Sequence, residues 1–346
     1  MLKNKTLDLS KCDVIKVFMM LSVMFYHCIC LWSRGGWFNQ APQTSSNVLA
    51  FACSLFNSFH IYVFVFVSGY IFYYLKYEKN RYNSFLRDVL HRSKRLLLPY
   101  LVASVFWVIP FSIYYFSPTP LDVFKNFGLA MAPSQLWFLI MIFVVFVIFY
   151  LISDVFNRCG YVSGVLLSIL IYVVSTLGGY FIPNLFQIWT AGKYIFFYYM
   201  GFAFRKYSNN VLYKIPWLCY FIVFILLFSF NFFYVSKQDV MIFKLITLAI
   251  VPVKNTFGVL TVIIGLSKFE FSKIKNTKVY SLLSKHNFVM YILHQQLIYI
   301  TISLFNYKVS TPLLVLINFV FSFLGSLLLS VLISKIPYVK KAFGYK

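Results

Sequence analysis

Runs of about 20 apolar residues, separated by short polar and basic stretches, recur along the whole chain. At ~1.5 Å of rise per residue, a helix of that length crosses a hydrocarbon core of ~30 Å and satisfies its own backbone hydrogen bonds on the way. Segments near 14–33, 52–75, 96–116, 135–156, 161–181, 186–204, 215–235, 240–266, 286–305 and 312–334 read as ten such spans. Lys244, Pro252 and Lys254 interrupt the eighth, which is expected to be broken or re-entrant. The pattern predicts an all-α polytopic transmembrane helical bundle. Residues 1–346 form a single membrane-embedded domain, with no internal repeat and no connection long enough for a separate soluble domain.

Composition supports this picture: the chain is 61% hydrophobic and only 11% charged, with a mean hydropathy of +0.80. A net charge of +23 would point to nucleic acid in a soluble protein, but the placement of the basic residues removes that reading. With a cytoplasmic N-terminus, 23 of the 31 lysines and arginines fall before residue 12, in 76–95, at Arg158, in 205–214, in 268–285 and after 334, all on the inner side. The outer loops hold Arg34, Lys125, Lys237 and Lys308. The positive-inside rule therefore places both termini in the cytoplasm of a multi-pass inner-membrane protein. Membrane lipids are partners, and nucleic acid is not. The six cysteines show no paired spacing in an external loop, so they read as small buried hydrophobes and indicate neither a disulfide framework nor a metal site. The first apolar run is followed by WSRGGW, which is not a cleavage pattern, so the first span is expected to remain.

Against this apolar background, CDVIKVFMMLSVMFYHC at 12–28 stands out. Lys16 and His27 are eleven residues apart, an advance of about three turns plus ~20° and ~16 Å, so they share one helix face. Asp13, three residues before Lys16, joins the same stripe and contributes to its charge balance. Ionisable groups at membrane depth are costly and mark sites, which favours a functional His27 over a histidine packed at a helix interface. A second constellation, FLRDVLHRSKRLLLPY at 85–100, carries Arg92 and Arg95 on one helix flank. They make either a bidentate clamp for phosphates or the lipid-facing charge that any cytoplasmic helix end carries. His294, with Tyr291 and Gln295, lies about 12 Å into the ninth span and is either a second site residue or a packed core histidine. Ser68 and Gly69, in the run that His60 begins, suggest close helix packing. Trp137 reads as an interfacial anchor, and His91 and His286 as solvated.

Taken in order, these residues resemble the acyltransferase-3 family of multispanning bacterial membrane proteins, which O-acylate polysaccharides and other envelope glycans. Asp13, Lys16 and His27 match its opening motif. VFVFVSGY at 63–70, RSKRLLLPY at 92–100, Leu136–Leu139 and the Tyr291/His294 pair follow in the family's order. The basic residue of the first motif is more often arginine in the family, and Lys16 keeps the charge without the planar fork. Some members also carry an extracytoplasmic hydrolase-like domain, whereas this chain runs only twelve residues past the tenth span.

The resemblance implies acetyl transfer from acetyl-CoA, as donor substrate with no bound cofactor, to a hydroxyl of a lipid-linked or surface polysaccharide such as O-antigen. His27 and Asp13 form the catalytic set. Lys16, Arg92 and Arg95 hold the donor, and Tyr291, His294 and Ser68 are candidates for acceptor contact or support. A glycan or lipid exporter that performs no acyl transfer is the competing reading, since inward-facing charge serves a transport path as well.

Overall fold

A computed structural model describes residues 7–33, 35–207, 211–235 and 241–345. Arg34 and Lys237 of the outer loops, and Lys3, Lys5 and Lys346 of the inner segments, lie outside the described residues. The longer helices are α1 (Leu9–Ile29), α2 (Asn47–Asn57), α3 (His60–Tyr73), α4 (Phe85–Ala103), α5 (Ile109–Phe116), α6 (Trp137–Arg158), α7 (Tyr161–Phe181), α8 (Ile188–Tyr207), α9 (Trp217–Phe233), α10 (Met241–Ser267), α11 (Lys278–Phe305) and α12 (Thr311–Lys335). No strand occurs among the described residues.

Among the described residues, eight helical segments are long and apolar enough to cross a membrane. The other two expected spans are helical as well: α8, where Lys193 lowers the apolar character, and α9, which has 17 residues. Three sequence expectations need correction. The eighth span is unbroken, because α10 runs through Pro252 and turns Lys254 onto Ser58 of the same unit instead of breaking at the charge. The helix of the third span begins at Phe85, eleven residues before the apolar run read at 96, and carries Arg92 and Arg95 on it, as their helical spacing implies. His286 is not solvated: α11 starts at Lys278, which makes His286 an interior residue of that helix, and it is only 2% exposed. His91 is exposed, as expected.

The chain groups into two compact units, each drawn from separate stretches. The first comprises Met1–Phe64, Asn209–Asn287 and Thr301–Phe321, and the second Val65–Ser208, Phe288–Ile300 and Ser322–Lys346. In the first unit α9 packs along α10, and α1 packs against α2 and α10. Its core joins Ala50 to the Phe224, Phe228 and Phe232 stripe of α9, which recurs every four residues as one helix face should. Asp8 caps α1 by accepting the Lys11 amide at 2.7 Å. The Lys11 ammonium in turn donates to the carbonyl of Ser267, the last residue of α10, at 2.6 Å. A buried lysine thus satisfies one of the carbonyls that a helix leaves open at its C-terminus.

In the second unit α7 and α8 form an antiparallel pair, and α6 packs on both α4 and α8. Charged side chains fasten its polar end. Arg205 forks onto Glu78 at 2.6 and 2.7 Å and reaches the Tyr70 hydroxyl at 2.7 Å. Lys206 donates to the Asn157 and Cys159 carbonyls at the end of α6, at 2.5 and 3.2 Å. Lys76 pairs with Asp154 at 3.1 Å and with the Ser153 hydroxyl at 2.6 Å.

Helices α3 and α8 meet backbone to backbone. A Cβ on Gly69 would lie 1.9 Å from the Tyr198 carbonyl oxygen, and one on Gly201 would lie 1.8 Å from the Phe66 carbonyl oxygen. No flexible side-chain end can yield there, so the two helices would have to separate. Gly69→Ala should therefore lower thermal stability in detergent by about 1–3 kcal/mol or more. Gly265→Ala, whose added methyl meets nothing within 4 Å, should be neutral or slightly stabilising. Equal melting temperatures for Gly69→Ala and wild type would disprove the close contact.

Candidate active site

In the first unit, α1 is one uninterrupted helix, so the eleven-residue spacing holds and Asp13, Lys16 and His27 form one stripe. Asp13 and Lys16 pair at 3.5 Å, with the carboxylate side chain 61% exposed and the ammonium side chain 33% exposed. An exposed pair at that distance is weak and open to exchange with another anion. Asp13 lies near the start of α1 and His27 in its last turn, so in this helix Asp13 acts on Lys16 and not on the imidazole.

His27 is half-buried in an aromatic surround. Its ring lies 4.8 Å from that of Tyr26 and stacks on Trp37 at 5.9 Å, and the Tyr26 ring lies 4.9 Å from that of His60. Trp37 arrives on the loop after α1. Gly36 adopts φ +65°, a left-handed conformation that glycine accepts without penalty, and the chain continues directly into the stacking tryptophan. The loop is held down by the Trp32 indole, which donates to the Thr44 carbonyl at 3.0 Å, and by Asn306, which donates to the Ala41 carbonyl at 2.9 Å. Asn318 donates to the Cys28 carbonyl at 3.2 Å and accepts from the Thr301 hydroxyl at 2.6 Å, fixing the backbone beside His27. His60 is buried and its Nδ1 donates to the Phe56 carbonyl, which leaves Nε2 as the lone-pair nitrogen.

The first unit also has an open groove of about 460 Å³ whose walls include Phe18, Met19, Phe59, Trp217, Leu266 and Phe269. Its lining is mostly apolar, with Lys268, Ser22 and Thr261 as polar members.

In the second unit, α4 presents Arg92 and Arg95. The buried Asp88 carboxylate steadies the start of this helix: it accepts the Ser84 amide at 3.3 Å and the Tyr150 hydroxyl at 3.1 Å. Farther along, the Tyr100 hydroxyl donates to the Phe127 carbonyl at 2.6 Å. The Arg92 guanidinium lies over the Phe146 ring at 4.7 Å, and its buried Nε has no hydrogen-bond partner. Neither Arg92 nor Arg95 forms an ion pair with a described carboxylate, whereas Lys76 and Arg205 of the same unit both do. Two guanidiniums one helical turn apart repel unless an anion lies between them. The Tyr198 hydroxyl, fully buried and also without a hydrogen-bond partner, is within electrostatic reach of Arg92.

Tyr291, His294 and Ser68 belong to the second unit as well. The Tyr291 hydroxyl donates to the Gln135 carbonyl, and His294 Nδ1 donates to the Tyr291 carbonyl at 2.7 Å. Gln135 donates to the Ile292 carbonyl at 2.8 Å and to Gln296 Oε1 at 2.6 Å, while Gln295 donates to the Ser134 hydroxyl at 3.0 Å and the Tyr299 hydroxyl at 2.5 Å. Through Tyr291, Gln135, Gln295 and Gln296 this network fastens α11 to the segment just before α6, and His294 bonds within α11. Ser68 is half-buried on α3 beside the Gly69 contact.

Sequence reasoning did not single out Trp37, Tyr26, Tyr198 or the Ser58–Lys254 contact. Lys254 carried a signal, a charge inside an apolar run, which was taken for a helix break. Nothing in the sequence pattern marks Tyr198 among the chain's 27 tyrosines.

No curated protein and no solved structure matches this chain. A family model described as an acyltransferase domain matches residues 10–335, from the first turn of α1 to the end of α12, and so takes in every candidate site residue. A match over nearly the whole chain, on an all-helical protein with eight apolar helices of membrane-crossing length, establishes a multi-pass membrane acyltransferase: the chain belongs to the acyltransferase-3 family.

Proposed function

We propose that the protein moves an acetyl group from acetyl-CoA to a hydroxyl of a lipid-linked or surface polysaccharide. The observation that carries the donor assignment is the state of Arg92 and Arg95. They lie one helical turn apart without a carboxylate partner among the described residues, and the buried Nε of Arg92 has no hydrogen-bond partner. CoA carries several phosphates, and two guanidiniums on one helix flank suit them. Lys16, only weakly held by Asp13, keeps the positive charge of the family's opening motif and is a candidate for donor binding in its own unit. This assignment takes the 76–95 segment and both termini to be cytoplasmic, as the distribution of basic residues predicts.

His27 carries the transfer. Its neutral imidazole takes the proton of the acceptor hydroxyl as that oxygen attacks the thioester carbonyl. The C–S bond then breaks, and the departing CoA thiolate takes up a proton. The same nitrogen can instead accept the acyl group and pass it on in a second step. Stacking on Trp37 restricts the ring to one orientation, which lowers the entropy lost on reaching the reactive geometry.

Arg92→Ala and Arg95→Ala should raise the KM for acetyl-CoA by roughly 10- to 100-fold each, in line with the loss of a charge-assisted contact worth ~1.5–3 kcal/mol, at normal protein levels. An unchanged donor requirement would return both residues to lipid-facing decoration. His27→Ala should remove acetyl esters from purified surface glycan, with a rate loss of at least ~10²-fold, while the glycan is still made and displayed. Wild-type ester content in that variant would exclude the assigned role. Loss of displayed glycan with normal substituents would indicate an exporter.

A further inference from the structure

The groove of about 460 Å³ in the first unit takes its walls from α1, α9 and α10, and its polar groups are unevenly placed. Phe18 and Met19 of α1 face Val262 and Leu266 of α10 across an apolar slot. The two hydroxyls within it are already donated to their own helices, Ser22 to the Phe18 carbonyl at 2.9 Å and Thr261 to the Phe257 carbonyl at 2.8 Å. The remaining donors stand at one end. Lys268 directly follows α10, is exposed, and pairs with no described carboxylate, Glu270 two residues on included. Its neighbour Ser267 receives Lys11 from the first turn of α1. Trp217 opens α9, which packs along α10 as the preceding helix, so the start of α9 and the end of α10 come together. The Trp217 indole N–H has no hydrogen-bond partner among the described residues, and a half-exposed tryptophan at a helix start is the residue that membrane interfaces favour.

The depth of the slot limits what it can hold. Lys268 to Thr261 is about 10 Å of rise and Lys11 to Ser22 about 16 Å, so the groove runs through roughly one leaflet of a ~30 Å hydrocarbon core. Its deep end is Phe59, which approaches Gly258, one turn beyond Thr261, so closely that a methyl there would lie 3.2 Å from the Phe59 Cβ. A nucleotide or free sugar would bring polar groups against walls whose hydroxyl protons are already used. An amphiphile fits, with its chain in the slot and its anion at the Lys268 end. The basic residues of 268–285 put that end on the cytoplasmic side, where the leaflet is rich in anionic lipid. We propose that the groove holds one fatty chain of an anionic phospholipid of the inner leaflet, with the phosphate at Lys268 and Trp217. Phe18 and Met19 stand on α1 between Lys16 and His27, so the bound chain braces the helix that carries the candidate catalytic stripe.

The test uses the full chain in phosphatidylcholine nanodiscs and reads melting temperature as phosphatidylglycerol with the same fatty chains replaces part of that lipid, so it does not depend on catalysis. Wild type should melt about 2 °C higher or more with phosphatidylglycerol present, and soluble glycerol phosphate added to phosphatidylcholine discs should produce no shift. Lys268→Gln should lose the shift and Lys268→Arg should keep it. Gly265 lines the groove and a Cβ added there meets nothing within 4 Å, so Gly265→Leu fills the slot at unchanged charge and should lose the shift as well. Gly265→Met takes its place if Gly265→Leu does not fold. Lys273→Gln removes an exposed cation of the same segment that does not line the groove, and it should keep the shift. The proposal is overturned if phosphatidylglycerol does not shift wild type, if glycerol phosphate reproduces the shift, or if Lys268→Gln or the filled groove retains it. Equal loss in Lys273→Gln and Lys268→Gln would overturn it too, since surface charge alone would then account for the effect.

Discussion

A polar or charged side chain inside an apolar helix has to find its partner within the protein, because the surrounding hydrocarbon offers none. That constraint organises this molecule. Lys11 meets the open carbonyl at the end of α10, Lys206 the carbonyls at the end of α6, and Arg205 the Glu78 carboxylate. Gln135, Gln295 and Gln296 close on one another and on the backbone of α11. For the buried glutamines, removing one partner would strand the other where a lost hydrogen bond is not readily replaced by water.

The same constraint separates structural from functional polarity. Arg92 and Arg95 in the second unit are cations without a described carboxylate partner, and so is the buried Lys254 in the first, which meets the Ser58 hydroxyl. Arg92 adds a buried Nε with no hydrogen-bond partner, and Asn255, beside Lys254, adds an unpartnered carbonyl oxygen. His27 belongs to a different category. Its ring stacks on that of Trp37 and meets that of Tyr26 edge-on, contacts that orient the imidazole.

Much of this was legible in the sequence, because helix periodicity and span length are local properties. The Lys16–His27 stripe follows from 3.6 residues per turn, and the close approach at Gly69 from the absence of a side chain. The misreadings came from non-local facts. Lys254 read as a break because a charge in an apolar run destabilises an isolated helix, while the Ser58 hydroxyl that receives it is 196 positions away in the chain. His286 read as solvated because its neighbours are basic, whereas its burial depends on α11 starting eight residues earlier than hydropathy suggests. Trp37 gave no signal, since its contact with His27 depends on the path of a loop through a left-handed Gly36.

The central claim is that the membrane domain itself activates the thioester, with His27 as the acting group. The most direct measurement is mass-spectrometric detection of CoA released from acetyl-CoA by the purified chain in nanodiscs, in the presence of glycan extracted from the host envelope. The account predicts turnover by wild type with acetyl appearing on the glycan, and release reduced by at least ~10²-fold in His27→Ala. Equal release by wild type and His27→Ala, or no release by wild type in the presence of that glycan, would contradict it.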